Sequence, residues 1–186
     1  MAKVLVPLAK GFEELEAVAA IDVLRRGGIE VVTAALGETT GVVGAHGMDI
    51  RADALLADAA NDDWDAVVLP GGNEGTENLK SSGTLRSLLR RHADGGRLLC
   101  AICAAPTVLV DAGVVPPGIH ITCYPTCQMM LDRQWTPAPV VAESNVITGQ
   151  GPGTALLFAL VVLQTLVGEK AARKVARTMV TNVLDE

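Results

Sequence analysis

Residues 97 to 110 read Arg-Leu-Leu-Cys-Ala-Ile-Cys-Ala-Ala-Pro-Thr-Val-Leu-Val, and few other stretches leave a chain so little choice of local structure. Behind the turn signal Gly95-Gly96, Arg97 to Ala101 form a short apolar run of the kind a central parallel strand needs when helices cover both its faces. Ala104, Ala105 and Pro106 suit the first turn of a helix, because Ala crowds nothing and Pro lacks an N–H only where no intrahelical partner exists for one. Gly113 supplies the stop. The abrupt turn between strand and helix falls on Cys103, which makes the stretch a nucleophile elbow carrying a thiol. A thiol above the free N–H groups and positive dipole end of a helix favours its anion. On that reading its pKa lies well under the free value of about 8.5, at about 5 to 6.

The rest of the chain alternates strand and helix patterns around this unit. Val4 to Leu8 read as a strand, about Glu13 to Arg26 as a helix stopped by Gly27-Gly28, and Ile29 to Ala35 as the next strand. The glycine-spaced segment 37 to 53 reads as a surface hairpin, and Ala66 to Leu69 as a buried strand ending in Pro70-Gly71-Gly72-Asn73. A helix is predicted over about Gly83 to Ala93, a strand at Ile119 to Cys123, and a hairpin of Pro139 to Ala142 with Val146 to Thr148. Gly149 to Thr154 open an apolar helix reaching Val167, and a last helix starts near Glu169. With 186 residues, 49% of them hydrophobic and only 3% aromatic, the chain has one aliphatic core, no linker and no repeat. It is read as a single domain over 1–186. The alternation predicts an α/β fold, a doubly wound and mostly parallel sheet between helices, with its site at the C-terminal strand edge.

Charge and cysteine usage exclude several function classes. A net charge of -6 without a basic stripe disfavours nucleic acid as a partner. The longest apolar run, Ala155 to Leu163, is short of the roughly 18 residues a membrane span needs, and Lys10 with Glu13-Glu14 marks the N-terminal run as a strand rather than a signal peptide. Four cysteines in such a chain point to free thiols in the cytoplasm.

Three strand-end loops should meet at the site edge: Gly11 to Glu16, Gly71 to Asn73, and Cys103-Ala104. The glycine pair lets backbone approach a reacting oxygen, so the N–H groups of Gly72 and Ala104 form a candidate oxyanion hole. Cys100 and Cys103 spell Cys-x-x-Cys, but Cys100 falls inside the strand pattern and is read as a small buried hydrophobe. His120, Cys123 and Cys127 lack the fourth ligand of a tetrahedral zinc site, so no metal is expected. His92 is read on a solvated helix end. Glu13 and Glu14 are read as ordinary first-turn acids. Glu16 lies between Leu15 and Ala17, where the pattern has turned apolar, and the sequence leaves open whether it is a surface glutamate or a half-buried one holding its proton. In the second case it can hydrogen-bond a thiolate and then exchange a proton with a substrate.

Leu8 to Glu16, Val67 to Asn73, Ala101 to Thr107 and Gly151 to Thr154 together resemble the motifs of the ThiJ/PfpI superfamily, in the branch of the parkinsonism-associated protein deglycase and bacterial YajL-type proteins. The resemblance spans essentially the whole chain. It implies a flavodoxin-like fold, a homodimer, and an oxidation-prone Cys103 held by Glu16 with the Gly72 and Ala104 N–H groups nearby. It implies glutathione-independent, cofactor-free conversion of small dicarbonyls such as methylglyoxal and glyoxal, repair of glycation adducts, and a chaperone role under oxidative stress. Ala104 stands where the protease branch has histidine, which disfavours peptidase activity. Tyr124 replaces a histidine often found near the thiol in the human-type branch, and His46 stands near the position from which the hairpin of that branch contributes an arginine. With Gly71 and Asn73 these two line the expected pocket, and Arg26 of one subunit is expected close to the other subunit's site.

Overall fold

The computed structural model describes residues 1–131 and 135–184. In chain order its elements are β1 (Lys3–Leu8), α1 (Glu14–Arg26), β2 (Glu30–Ala35), β3 (Gly41–Val43), β4 (Asp49–Arg51), β5 (Ala54–Leu55), α2 (Leu56–Ala59), β6 (Ala66–Leu69), α3 (Asn73–Ser81), α4 (Gly83–Asp94), β7 (Leu98–Ile102), α5 (Pro106–Asp111), β8 (Val140–Glu143), β9 (Val146–Gly149), α6 (Ala155–Val167) and α7 (Glu169–Thr178). The main sheet runs β5-β2-β1-β6-β7-β9-β8. Its strands are parallel except β8, which returns antiparallel along β9. Taken alone, the five long parallel strands follow the 2-1-3-4-5 order of a flavodoxin-like sheet, as expected. β3 and β4 pair separately as the predicted surface hairpin.

The central strands are buried on both faces because their residues alternate between two apolar layers. Val4, Val6, Val68, Cys100 and Ile102 join α1, α6 and α7 on one side. Leu5, Val67, Leu69, Leu99 and Ala101 join α2 to α5 on the other. The apolar run Ala155–Val167 is accordingly a core helix, with Phe158, Leu160 and Leu163 fully buried. Among the described residues no helix is long and apolar enough to cross a membrane.

Two expectations fail here, and one helix went unassigned. Ile119 to Cys123 is not a strand: among the described residues its only ladder contact is an isolated bridge from Ile121 to Trp135, because prolines on either side leave no neighbour to pair with at length. The stretch after Gly72, to which the sequence assigned no element, is α3, which glycine and asparagine content conceals; Gly75 is needed where the helix presses on the backbone of Phe12. His92 is not solvated. It lies in the last turn of α4 at 2% exposure, with Nε2 3.1 Å from the Trp64 carbonyl.

His92 therefore makes stability pH-dependent. Burial, followed by the charge of Arg97, holds its pKa below the ordinary 6.5, against the pull of the Trp64 carbonyl. The unfolded chain binds this proton more readily, so stability rises with pH between the lowered folded value and 6.5 and is lost on acidification through that window. The melting temperature of the wild type should fall more steeply between pH 7 and 5 than that of His92→Gln. Parallel curves would show that His92 titrates normally.

Candidate active site

Three strand ends build the site. After β1, Gly11 and Phe12 turn the chain so that Glu13 caps α1, its carboxylate accepting the Glu16 N–H at 2.8 Å. This aims Glu16, one turn in, at the sheet rather than at solvent. After β6, Gly71 and Gly72 pass so close to neighbouring groups that no side chain fits. A Cβ on Gly71 would lie 2.7 Å from Cys103 Cβ and 2.8 Å from Glu16 Oε2, and one on Gly72, whose φ is 92°, would collide with the Gly11 carbonyl. After β7, Cys103 takes φ 64°, a left-handed conformation that strains a non-glycine residue by about 1–3 kcal/mol. Its N–H is held by the Gly149 carbonyl at 2.9 Å and its own carbonyl by the Tyr124 N–H at 2.8 Å. Those two bonds fasten the strained turn from both sides.

Glu16 is 1% exposed and Cys103 8%. The Gly71 N–H donates to Glu16 Oε2 at 2.7 Å, whereas Oε1 is buried without a hydrogen-bond partner among the described residues. Burial dominates the carboxyl's acidity and raises its pKa from 4.5 to about 7, opposed by the Gly71 N–H and by the Cys103 thiol. Glu16 is thus more deeply buried than its sequence position suggested.

The thiol departs from expectation in the other direction. Burial first, then the charge of Glu16 and the hydrogen bond to it, push Cys103 above the ordinary thiol value, while the Gly72 and Ala104 N–H groups pull it down. The helix start is the wrong place to look for the missing stabilisation, because α5 begins only at Pro106 and runs just six residues. What the geometry creates instead is a coupled acid pair. With one proton between them, the thiolate exists when Glu16 carries that proton, and it then lies against two backbone N–H donors and a carboxylic acid.

The other expected residues fall at varied distances from this centre. Tyr124 follows Cys103 closely through its backbone, and its half-exposed ring lies over Gly151, where an added Cβ would meet Cδ2 at 3.3 Å. Asn73 is exposed at the head of α3. Arg26 ends α1 in an ion pair with Asp22 at 2.6 Å, roughly 15 Å along the helix from Glu16, so within one subunit it is not part of the site. His46, at the tip of the β3–β4 hairpin, joins Glu14 instead. Glu14 Oε1 accepts the His46 backbone N–H at 2.7 Å, and Oε2 lies 2.8 Å from Nδ1. Burial opposes ionisation of Glu14, but the bonds from His46 outweigh it and hold its pKa low, and the same contact raises that of His46. Neither Glu13 nor Glu14 is an ordinary first-turn acid. Both are buried, one capping the helix and the other clamping the hairpin. Donor atoms of Glu13, Glu14 and His46 lie within 4.8 Å of one another, close enough for a metal ion, yet each is already engaged by the cap or the clamp.

The Gly149 carbonyl and the Glu14–His46 clamp escaped sequence reasoning. The first has only the close of a β-pattern as its signal, and the second joins residues 32 apart in sequence.

A model of the DJ-1/PfpI family matches residues 2–165. Protein dj-1beta of Drosophila melanogaster is 42% identical over 176 residues, covering 93% of this chain and 94% of that protein. A Caenorhabditis elegans protein named glutathione-independent glyoxalase DJR-1.2 is 35% identical over 170 residues, covering 90% of this chain and 89% of its own. Among solved structures, oxidized DJ-1 of Toxoplasma gondii superposes with a TM-score of 0.95 at 34% identity, covering 97% of this chain and 99% of the other.

Proposed function

The chain belongs to the DJ-1/PfpI family, and from that premise we propose that it is a cofactor-free glyoxalase that converts methylglyoxal and glyoxal to hydroxy acids, with deglycase-type hydrolysis of glycation adducts as a related reaction. The observation that carries this reading is the buried Cys103–Glu16 pair, with Glu16 raised to about 7 and two backbone N–H groups on the sulfur. In the state with one shared proton, Cys103 adds to the aldehyde carbon while the Glu16 acid protonates the oxygen, giving a hemithioacetal. The Glu16 carboxylate then removes the hydrogen on that carbon and returns it to the neighbouring carbon, while the hydroxyl proton of the first carbon passes to the oxygen of the second. The first carbon is oxidised by the two electrons that reduce the second, so no external oxidant is needed. Water releases the resulting thioester as the hydroxy acid and restores the thiol. The Gly72 and Ala104 N–H groups serve the developing negative charge. Gly71 positions Glu16, and Tyr124, Asn73 and His46 border the approach.

Pure protein supplied with methylglyoxal and no glutathione should form lactate. Absence of product above the rate in buffer would remove the enzymatic reading. A second reading, a sensor or chaperone in oxidative stress that works through oxidation of the same Cys103, is favoured by one comparison, since the Toxoplasma gondii relative is described as oxidized.

We further propose that the whole chain is one such domain, that it works in the cytoplasm, where its four free thiols stay reduced, and that it forms a homodimer. Leu15 and Val18 on the outer face of α1 are 65% and 48% exposed, beside the exposed Val43 and Met48 of the clamped hairpin, a patch that suits a partner subunit. Arg26 of that partner would then be the cation that reaches the site. Light scattering at micromolar concentration should give twice the chain mass, and a monomer would exclude this arrangement.

A further inference from the structure

Cys123 and Cys127 have no part in the chemistry proposed for Cys103, yet they converge on one atom. The Cys123 thiol donates to the Tyr124 carbonyl at 3.2 Å, and the Cys127 N–H donates to the same oxygen at 2.8 Å. Both belong to one apolar cluster under the 3₁₀ turn Pro125–Met130. Sharing one acceptor places the Cys123 sulfur within about 6 Å of the Cys127 backbone nitrogen, near enough for the two side chains to be joined by a disulfide. Exposure distinguishes the two sulfurs: Cys123 is fully buried, whereas Cys127 is 8% exposed and is followed by Met129 at 85% and Met130 at 58%. Solutes therefore reach Cys127 first.

We propose that Cys123 and Cys127 form a second oxidation site, separate from Cys103, in which a hydroperoxide drives closure of a reversible intramolecular disulfide. The Cys127 thiolate attacks the peroxide oxygen, taking up one oxygen atom as sulfenic acid and releasing the alcohol, or water from hydrogen peroxide. Cys123 then attacks the Cys127 sulfur and displaces that oxygen as water, carrying away the thiol proton. Two thiols lose two electrons and two protons, and the peroxide accepts them. Burial, with the neighbouring Cys127 sulfur second, pushes Cys123 up to about 12, so Cys123 is not the first of the two to meet peroxide. The bridge would enclose Tyr124, whose N–H holds the Cys103 carbonyl, so the pair stands next to the turn on which the site depends.

The test uses full-length Cys103→Ser protein, which makes it independent of any reaction at Cys103. After mild hydrogen peroxide and alkylation of the remaining thiols, cleavage before Asp111 separates the Cys100 peptide from the one carrying Cys123 and Cys127. The latter should be two hydrogens lighter, without alkyl label, and should regain both thiols on treatment with dithiothreitol. In Cys123→Ser, Cys127 should advance to sulfinic acid. In Cys127→Ser, Cys123 should stay reduced. Full alkylation of both residues after peroxide, or sulfinic acid at Cys127 while Cys123 is still present, would overturn the proposal.

Discussion

Cys103→Ser should reduce methylglyoxal conversion to the rate in buffer and remove the sulfinic acid that mild peroxide forms at this position in the wild type. A hydroxyl in the same place is slightly smaller but leaves the backbone of the left-handed turn unchanged, and it is far too weak an acid to share the Glu16 proton and cannot be oxidised up the sulfur ladder. The fold should survive, with a melting temperature close to that of the wild type, because the backbone bonds to Gly149 and Tyr124 are untouched. Lactate production by the serine variant at more than a few per cent of the wild-type rate would place the chemistry elsewhere.

Glu16→Gln should cost turnover a factor of about 100 or more, the usual scale for losing a positioned acid–base group, while Cys103 still reacts with peroxide. The amide preserves an acceptor for the Gly71 N–H and a donor for sulfur but carries no transferable proton. The variant should also gain stability above neutral pH. Because the folded pKa of Glu16 is raised from 4.5 to about 7, the folded state binds more protons than the unfolded chain between those values. The stability this confers at low pH is lost as pH rises through about 7, leaving a penalty on the order of 3 kcal/mol that glutamine does not incur. Alkylation of wild-type Cys103 should step up near pH 7, when the pair loses its first proton, and that step should vanish in Glu16→Gln. Undiminished turnover in the variant would remove Glu16 from the mechanism, whatever its effect on stability.

The sheet was readable from residues 3–8, 66–69 and 98–102 because strands buried on both faces leave unbroken apolar runs, and the elbow because its strand, its turn and the proline of its helix are contiguous. Short elements such as α2 and β5 left no period to detect, and α3 was concealed by residues chosen for close approach to Phe12 rather than for helix propensity. The residues that the fold brings together at the candidate site, Glu16, Gly71, Gly72 and Cys103, could be singled out, since each lies beside a glycine turn or in an apolar context. Their electrostatics could not. Whether Glu16 repels or supports a thiolate depends on burial and on one shared proton, and both are set by contacts between residues 16, 71 and 103 that no local pattern encodes.

The fastening of Cys103 from both sides also has a bearing on synthesis. Its N–H is held by Gly149 and its carbonyl by Tyr124, both of which leave the ribosome well after Cys103 itself, at a pace of about 5–20 residues per second. A nascent chain that stops short of β9 already contains the thiol and Glu16 but can hold the left-handed turn from the Tyr124 side at most. A Cys103 turn fastened from both sides is thereby a property of chains made through β9, the last strand to be translated.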